Sequence, residues 1–276
     1  MNDNIGFNLD KMDVKLIGGM AHYEMQTNDG PLLLNDLLGK SLKLNFHREI
    51  YCTHCNKKTN KSYSGGYCYV CSIKLAECDM CILKPETCHY SLGTCRDPKW
   101  GEKNCMTHHY VYLANSSGLK VGITRASQVP TRFIDQGAVR ALPIIKVGSR
   151  HMSGVFEKLF ASEYKDKTDW RKMLKGDQEF IDLQEKRDEL FELFGEDLDQ
   201  LEHQFGEDQV SILEQESEIE IHYPVIAYPE KVSSLSVEKL GIIGGTLKGI
   251  KGQYLLFDTG VINIRSHTGY RVHLEF

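Results

Sequence analysis

All nine cysteines of the 276-residue chain fall between Cys52 and Cys105, and their spacing is that of metal ligands. Cys52-x2-Cys55 and Cys68-x2-Cys71 form two knuckles separated by 12 residues, which lets four thiolates surround a tetrahedral zinc. Lys57, Lys58, Lys61, Ser64-Gly65-Gly66 and Tyr67 fill the gap as a basic, turn-rich finger, so the spacing predicts a zinc ribbon. A second set begins with Cys78-x2-Cys81 and continues through Cys88, Cys95 and Cys105, with His89 and His108 interspersed. Five cysteines exceed the four positions of one tetrahedral site. Sequence proximity favours Cys78, Cys81, Cys88 and Cys95, with Cys105 the competitor, for a second structural zinc; an iron–sulfur cluster uses the same thiolates. His89, His108 and His109 are expected to be ordinary surface or supporting histidines.

These ligands need a reducing compartment if they are to hold metal rather than pair as disulfides. The start Met1-Asn2-Asp3-Asn4 lacks the basic and apolar character of a secretory signal, and no apolar run is long enough to span a bilayer, so a cytoplasmic location is expected. A 41% hydrophobic content supports a packed core. The net charge of −5 hides an asymmetry: residues 177–220 carry 17 Asp and Glu against Lys186 and Arg187, which leaves 21 acids against 31 Lys and Arg elsewhere. The remainder is a basic protein suited to phosphate-bearing partners. In the cysteine region Lys57, Lys58, Lys61, Lys74, Lys84, Arg96, Lys99 and Lys103 alternate with Tyr63, Tyr67, Tyr69, Tyr90 and Trp100, offering phosphate contacts and stacking faces.

After the cysteines, Val111–Ala114 and Leu119–Thr124 read as two strands joined by the turn-formers Asn115-Ser116-Ser117-Gly118. A short helix over residues 131–137 presents Arg132, a strand runs over residues 142–148, and a helix from Ser153 carries Val155, Phe156, Leu159, Phe160 and Tyr164 at core-facing spacing. This order of hairpin, Arg-bearing helix, strand and Glu-bearing helix resembles the GIY-YIG nuclease superfamily, especially its phage-type branch. Tyr110-Val111-Tyr112 matches the first motif, Lys120-Val121-Gly122 the second, Arg132 the family arginine and Glu157 the metal-binding glutamate. Asp169-Trp170 lies where that branch often has Glu-Trp. The resemblance implies a catalytic set of Tyr110, Tyr112, Lys120, Arg132 and Glu157. A tyrosine would help deprotonate water, Mg²⁺ or Mn²⁺ on Glu157 would polarise the scissile phosphate, and Arg132 would stabilise the developing charge. Lys120 stands where a tyrosine is usual, and can contact phosphate as a point charge. The chain as a whole is also similar to an uncharacterised bacterial family that places a Cys-rich zinc-binding segment before such a core.

The flanks are less chemical. Residues 1–50 suggest strands at Val14–Ile17 and Met20–Met25 and another through Leu42, Leu44 and Phe46. Ile17-Gly18-Gly19-Met20 echoes Ile243-Gly244-Gly245-Thr246, which predicts similar strands at both ends closing one small barrel. Phe180, Leu183, Leu190, Leu198 and Phe205 fall at helical spacing among the acids of residues 177–222, predicting a solvated acidic helical arm, alternatively one folded over a basic groove. Residues 223–276 read as a small β module with three short strands. The expected architecture is α+β: an N-terminal β segment (1–50), a zinc-binding region (51–109), a GIY-YIG-like domain (110–176), the acidic arm (177–222) and the C-terminal β module (223–276). The leading function is nucleic-acid binding, RNA over DNA because the basic platform is aromatic. A metal-dependent endonuclease is the first alternative. The second is a structural-zinc scaffold whose acidic arm meets a protein partner.

Overall fold

A computed structural model describes residues 6–164 and 169–276. It is a mixed α+β protein whose strands pair antiparallel in three sheets. The largest sheet has seven strands and is built on the long strand Ser41–Tyr51. Leu42 and Leu44 are buried while Ser41 and Lys43 face out, the period-two pattern of a half-buried strand. Tyr270–Glu275 pairs on one side of Ser41–Tyr51 and Ile242–Lys251 on the other, so the two ends of the chain share a sheet. Tyr254–Phe257 and Gly260–Asn263 extend one edge, Phe7–Asn8 lies at the other, and the two edges do not pair with one another to close a barrel. Tyr270–Glu275 is a fourth C-terminal strand beyond the three expected. The two Ile-Gly-Gly stretches differ: Gly18 and Gly19 make the turn between Asp13–Ile17 and Met20–Thr27, whereas Gly244 and Gly245 lie inside a strand. With Gly30–Leu33, that N-terminal hairpin forms a separate three-stranded sheet.

The third sheet has five strands, with His109–Asn115 between Leu119–Arg125 and Arg140–Val147. Its central strand is buried on both faces, which is why it reads as a continuous apolar run rather than an alternation. Val111 and Leu113 point into a core with Phe156 and Phe160 of the helix Arg150–Phe160, whose first turn is capped by Ser149. Tyr112 and Ala114 point the other way, into a core shared with Leu42, Leu44 and Ile250 of the seven-stranded sheet. The residues between the two faces of this one strand therefore bind the central and terminal regions into a continuous structure.

The expected acidic arm packs onto the same sheet. Helices Leu183–Leu193 and Gly195–Phe205 bury Leu183, Leu190 and Leu198 against Val111 and Leu113, leaving their carboxylates outside. Val210–Ile212 and Ile219–Glu220 then add two strands beside Arg140–Val147. The acids are the solvent face of an amphipathic layer whose apolar stripe is core. Among the described residues, no helix is long and apolar enough to cross a membrane.

Candidate functional site

Two sites emerge from this framework: a cysteine cluster and a cationic cavity. Cys52 follows directly from Ser41–Tyr51, and its N–H donates to the Lys57 carbonyl (3.0 Å), folding residues 52–57 into a tight knuckle in which Asn56 takes a left-handed conformation. Lys58–Thr59 turns back to pair with the end of Ser41–Tyr51, anchoring the finger in the large sheet. A turn through Ser64, Gly65 and Gly66 leads to Cys68, which precedes the helix Tyr69–Lys74 that carries Cys71. The ligand sulfurs of Cys52, Cys55, Cys68 and Cys71 all lie within 4.8 Å of one another. The 3.8 Å between Cys55 Sγ and Cys68 Sγ equals the separation expected of thiolates about 2.3 Å from a tetrahedral zinc. Burial pushes the Cys52 thiol up, but backbone N–H groups of Cys55, Cys68 and His54 outweigh it and bring it down to about 6. The cluster is thus fitted to hold a structural zinc.

The remaining cysteines divide. Cys81, Cys88, Cys95 and Cys105 line one small pocket together with Ala76, Asp79, His89, Tyr90, Trp100 and Gly101. Cys78, favoured by sequence proximity, is not among them and lies instead beside Ser64 of the first finger. Asp79, Cys81 and His89 also come within 4.8 Å of one another. His109 is fully buried, and its Nδ1 donates to the Thr107 carbonyl (2.7 Å). Burial holds its pKa down at about 4, so the ring is neutral.

The second site is a cavity of about 540 Å³ where three regions of the chain meet. Lys120, Arg125, Arg132, Arg150 and Glu157 come from the five-stranded sheet and its helices, Lys11 and Arg265 from the terminal regions, and Ile82, Leu83 and Pro85 from the cysteine region. Six cationic side chains face two carboxylates, Glu157 and Asp135, and Asp135 is already paired with Lys11 (3.3 Å). Arg150 Nη2 donates to the Ile82 carbonyl (2.7 Å) and Arg125 Nη1 to Asn104 Oδ1 (2.9 Å). The Nε–H groups of both arginines are buried and find no hydrogen-bond partner among the described residues. Burial pushes Arg150 below the usual guanidinium range; Arg125 and Arg132 push it the same way, while Cys105 and Glu157 oppose them.

Of the five residues matched to the nuclease motifs, Lys120, Arg132 and Glu157 line this cavity. Tyr112 is wholly buried behind it, packed on Phe133 with ring centroids 4.7 Å apart, and its hydroxyl donates to Gln136 Oε1 (2.9 Å). Gln136 and Gly122 both line the cavity, and a Cβ at Gly122 would fall 2.7 Å from the Tyr112 hydroxyl, so only glycine lets the two strands meet there. Tyr110, half-buried, pairs with Thr124 and Lys146 and does not reach the cavity wall. Asp169 caps the helix Trp170–Lys175, and Trp170 stacks on Tyr254, both outside the cavity. No residue of 177–222 lines it either. No motif in the sequence singles out Arg125, Arg150 or Lys11. Arg150 did carry a signal: a cation opening a helix opposes the helix dipole and is held there for another reason.

A family model described as a protein of unknown function, DUF2797, matches residues 39–272. The chain belongs to this family. The match takes in both cysteine sets and every cationic residue of the cavity except Lys11. No curated protein and no solved structure is significantly similar to the chain.

Proposed function

We propose that this protein binds nucleic acid, RNA in preference to DNA, and that the cationic cavity receives a backbone phosphate. The observation that carries the reading is the crowding of Arg125, Arg132 and Arg150 with Lys11, Lys120 and Arg265 in one cavity against only two carboxylates. A phosphate accepts from several guanidiniums at once and balances such an excess of positive charge. The finger supports the preference for RNA: Tyr69 is 59% exposed, Tyr63 packs edge-on against it at 5.7 Å, and Lys61 lies over the Tyr63 ring. Exposed aromatics beside a cation are a stacking surface for unpaired bases.

A second reading, phosphodiester cleavage of the GIY-YIG type, is favoured by one observation: Lys120, Arg132 and Glu157 line the same cavity. Under it Glu157 would hold Mg²⁺ or Mn²⁺, which would polarise the phosphate. Arg132 would stabilise the developing charge, Lys120 would contact phosphate in place of a tyrosine, and Gln136 would orient the Tyr112 hydroxyl.

Labelled single- and double-stranded RNA and DNA, incubated with the zinc-loaded protein with and without Mg²⁺ or Mn²⁺, separate these readings by gel shift and product length. Binding predicts a shift that weakens steeply with salt, and a loss of about tenfold in affinity with a shallower salt slope in Arg150→Gln. Metal-dependent shortening abolished by Glu157→Gln would establish the nuclease. Absence of both shift and shortening would overturn the proposal in favour of a structural-zinc scaffold whose acidic surface meets a protein.

A further inference from the structure

Nine cysteines divide as four, four and one, and the fold decides which is the odd one. Cys78 lies beside Ser64 of the first finger and does not line the pocket shared by the later cysteines. We propose that Cys81, Cys88, Cys95 and Cys105 form a second tetrathiolate zinc site, and that this site sets the position of Arg150 in the cavity wall.

Three observations support the ligand set. First, all four cysteines line one small pocket. Second, the chain around them has little else to hold it: residues 76–87 contain three short 3₁₀ turns, while Met80, Leu83 and Leu92 are exposed. A loop-rich segment without its own apolar core draws its folding free energy from bound metal. Third, the competing trio is already engaged. Asp79 accepts from Arg96 Nε (2.8 Å) and lies 3.4 Å from His89 Nε2, and His89 Nδ1 is 2.8 Å from Thr94 Oγ1. Asp79 and His89 line the same pocket, but each thus has a partner of its own, and with Arg96 they brace the loops around it. Only the first cluster brings four thiols within 4.8 Å of one another, so closing the second around an ion tightens the loops carrying Cys88 and Cys95.

The link to Arg150 is direct. Its backbone N–H donates to the carbonyl of Cys105 (2.8 Å), and its guanidinium to the carbonyl of Ile82, the residue after Cys81 (2.7 Å). Pro85 of the same loop packs on the helix Arg150–Phe160 at Gly154, where a Cβ would meet Pro85 Cβ at 2.5 Å and the Glu86 nitrogen at 2.8 Å. One proposed ligand, Cys105, and the neighbour of another, Ile82, therefore hold the two ends of one arginine, and metal at this site fixes the loop that presents it.

Metal analysis of the purified full chain tests the site without reference to nucleic acid. Two zinc ions per chain are expected in the wild type, in Cys78→Ser and in His89→Ala, and one in Cys88→Ser/Cys105→Ser. Cobalt substitution guards against misfolding: the thiolate-to-cobalt absorption should fall by about half in the double variant and stay unchanged in Cys78→Ser. One zinc in the wild type, loss of one ion in Cys78→Ser or His89→Ala, or iron with sulfide in place of the second zinc would each overturn the assignment. Hydrogen exchange tests the coupling: the Arg150 amide should lose protection in Cys88→Ser/Cys105→Ser and keep it in Cys78→Ser. Unchanged protection in the double variant would overturn the coupling, whatever the outcome of nucleic-acid binding.

Discussion

The first cysteine cluster takes its four ligands from one stretch of chain, Cys52 to Cys71, whereas the cationic cavity collects side chains from position 11 to position 265. The cluster is framed by two knuckles and a short strand pair, and a bound metal would supply much of its folding free energy. The cavity has no such local source. It exists because the five-stranded sheet presses one face against the seven-stranded sheet and the cysteine loops close its rim. A local site should therefore fail through its ligands, and a distributed site through the packing behind it.

The largest effect is expected at the cluster. Cys52→Ser should release one zinc, and because the finger is anchored on Ser41–Tyr51 the midpoint of thermal unfolding should drop by about 10 °C or more. An unchanged zinc content and midpoint would remove the cluster from the list of metal sites. Next comes acid. His109 titrates near 4 in the folded chain against 6.5 ordinarily, so the unfolded chain binds the extra proton between those values. Its contribution is intact above pH 6.5 and is lost as pH falls through about 4, up to about 3 kcal/mol. Denaturant titrations at pH 7 and pH 5 should show that loss in the wild type and a flatter profile in His109→Gln; equal slopes would separate His109 from the acid response.

Packing behind the cavity gives the next step down. Gly122→Ala places a methyl against the Tyr112 ring and should cost about 1–3 kcal/mol in denaturant titrations, while the zinc content stays unchanged. Zinc loss in that variant would erase the distinction between the sites. The smallest effect contrasts two buried cations. Lys251 is fully buried between the rings of Tyr223 and Tyr228, at 5.2 and 5.4 Å, and lines no part of the cavity. Burial lowers its pKa to about 8 from 10.5, so its charge costs stability below pH 8 and that cost vanishes as pH rises through 10.5. Cation–π attraction offsets part of it, so Lys251→Met should stabilise the protein by about 1 kcal/mol at neutral pH. A destabilised variant would mean that the lysine, like the cavity arginines, is held for a purpose.

Much of this architecture was legible from residue order. The two CxxC pairs specify a ligand geometry because the covalent chain fixes how far apart their sulfurs can be. The hairpin followed from apolar runs around Asn115-Ser116-Ser117-Gly118, and the helix around Glu157 from its spacing of Phe156 and Phe160. The acids of 177–222 concealed core residues, since a helix shows the same charges whether its apolar stripe is bare or covered.

By itself, then, the sequence determined the local objects: the zinc-type knuckles, the strands, the amphipathic helices and the excess of basic residues outside 177–220. Only the tertiary structure decided that Cys105 rather than Cys78 stands with Cys81, Cys88 and Cys95. It also decided that Lys120, Arg132 and Glu157 share a cavity with Arg125, Arg150 and Arg265. The physical reason is range. Backbone propensity and ligand spacing act over a few residues, whereas a cavity wall is fixed by which buried faces meet, and that depends on the packing of the whole chain.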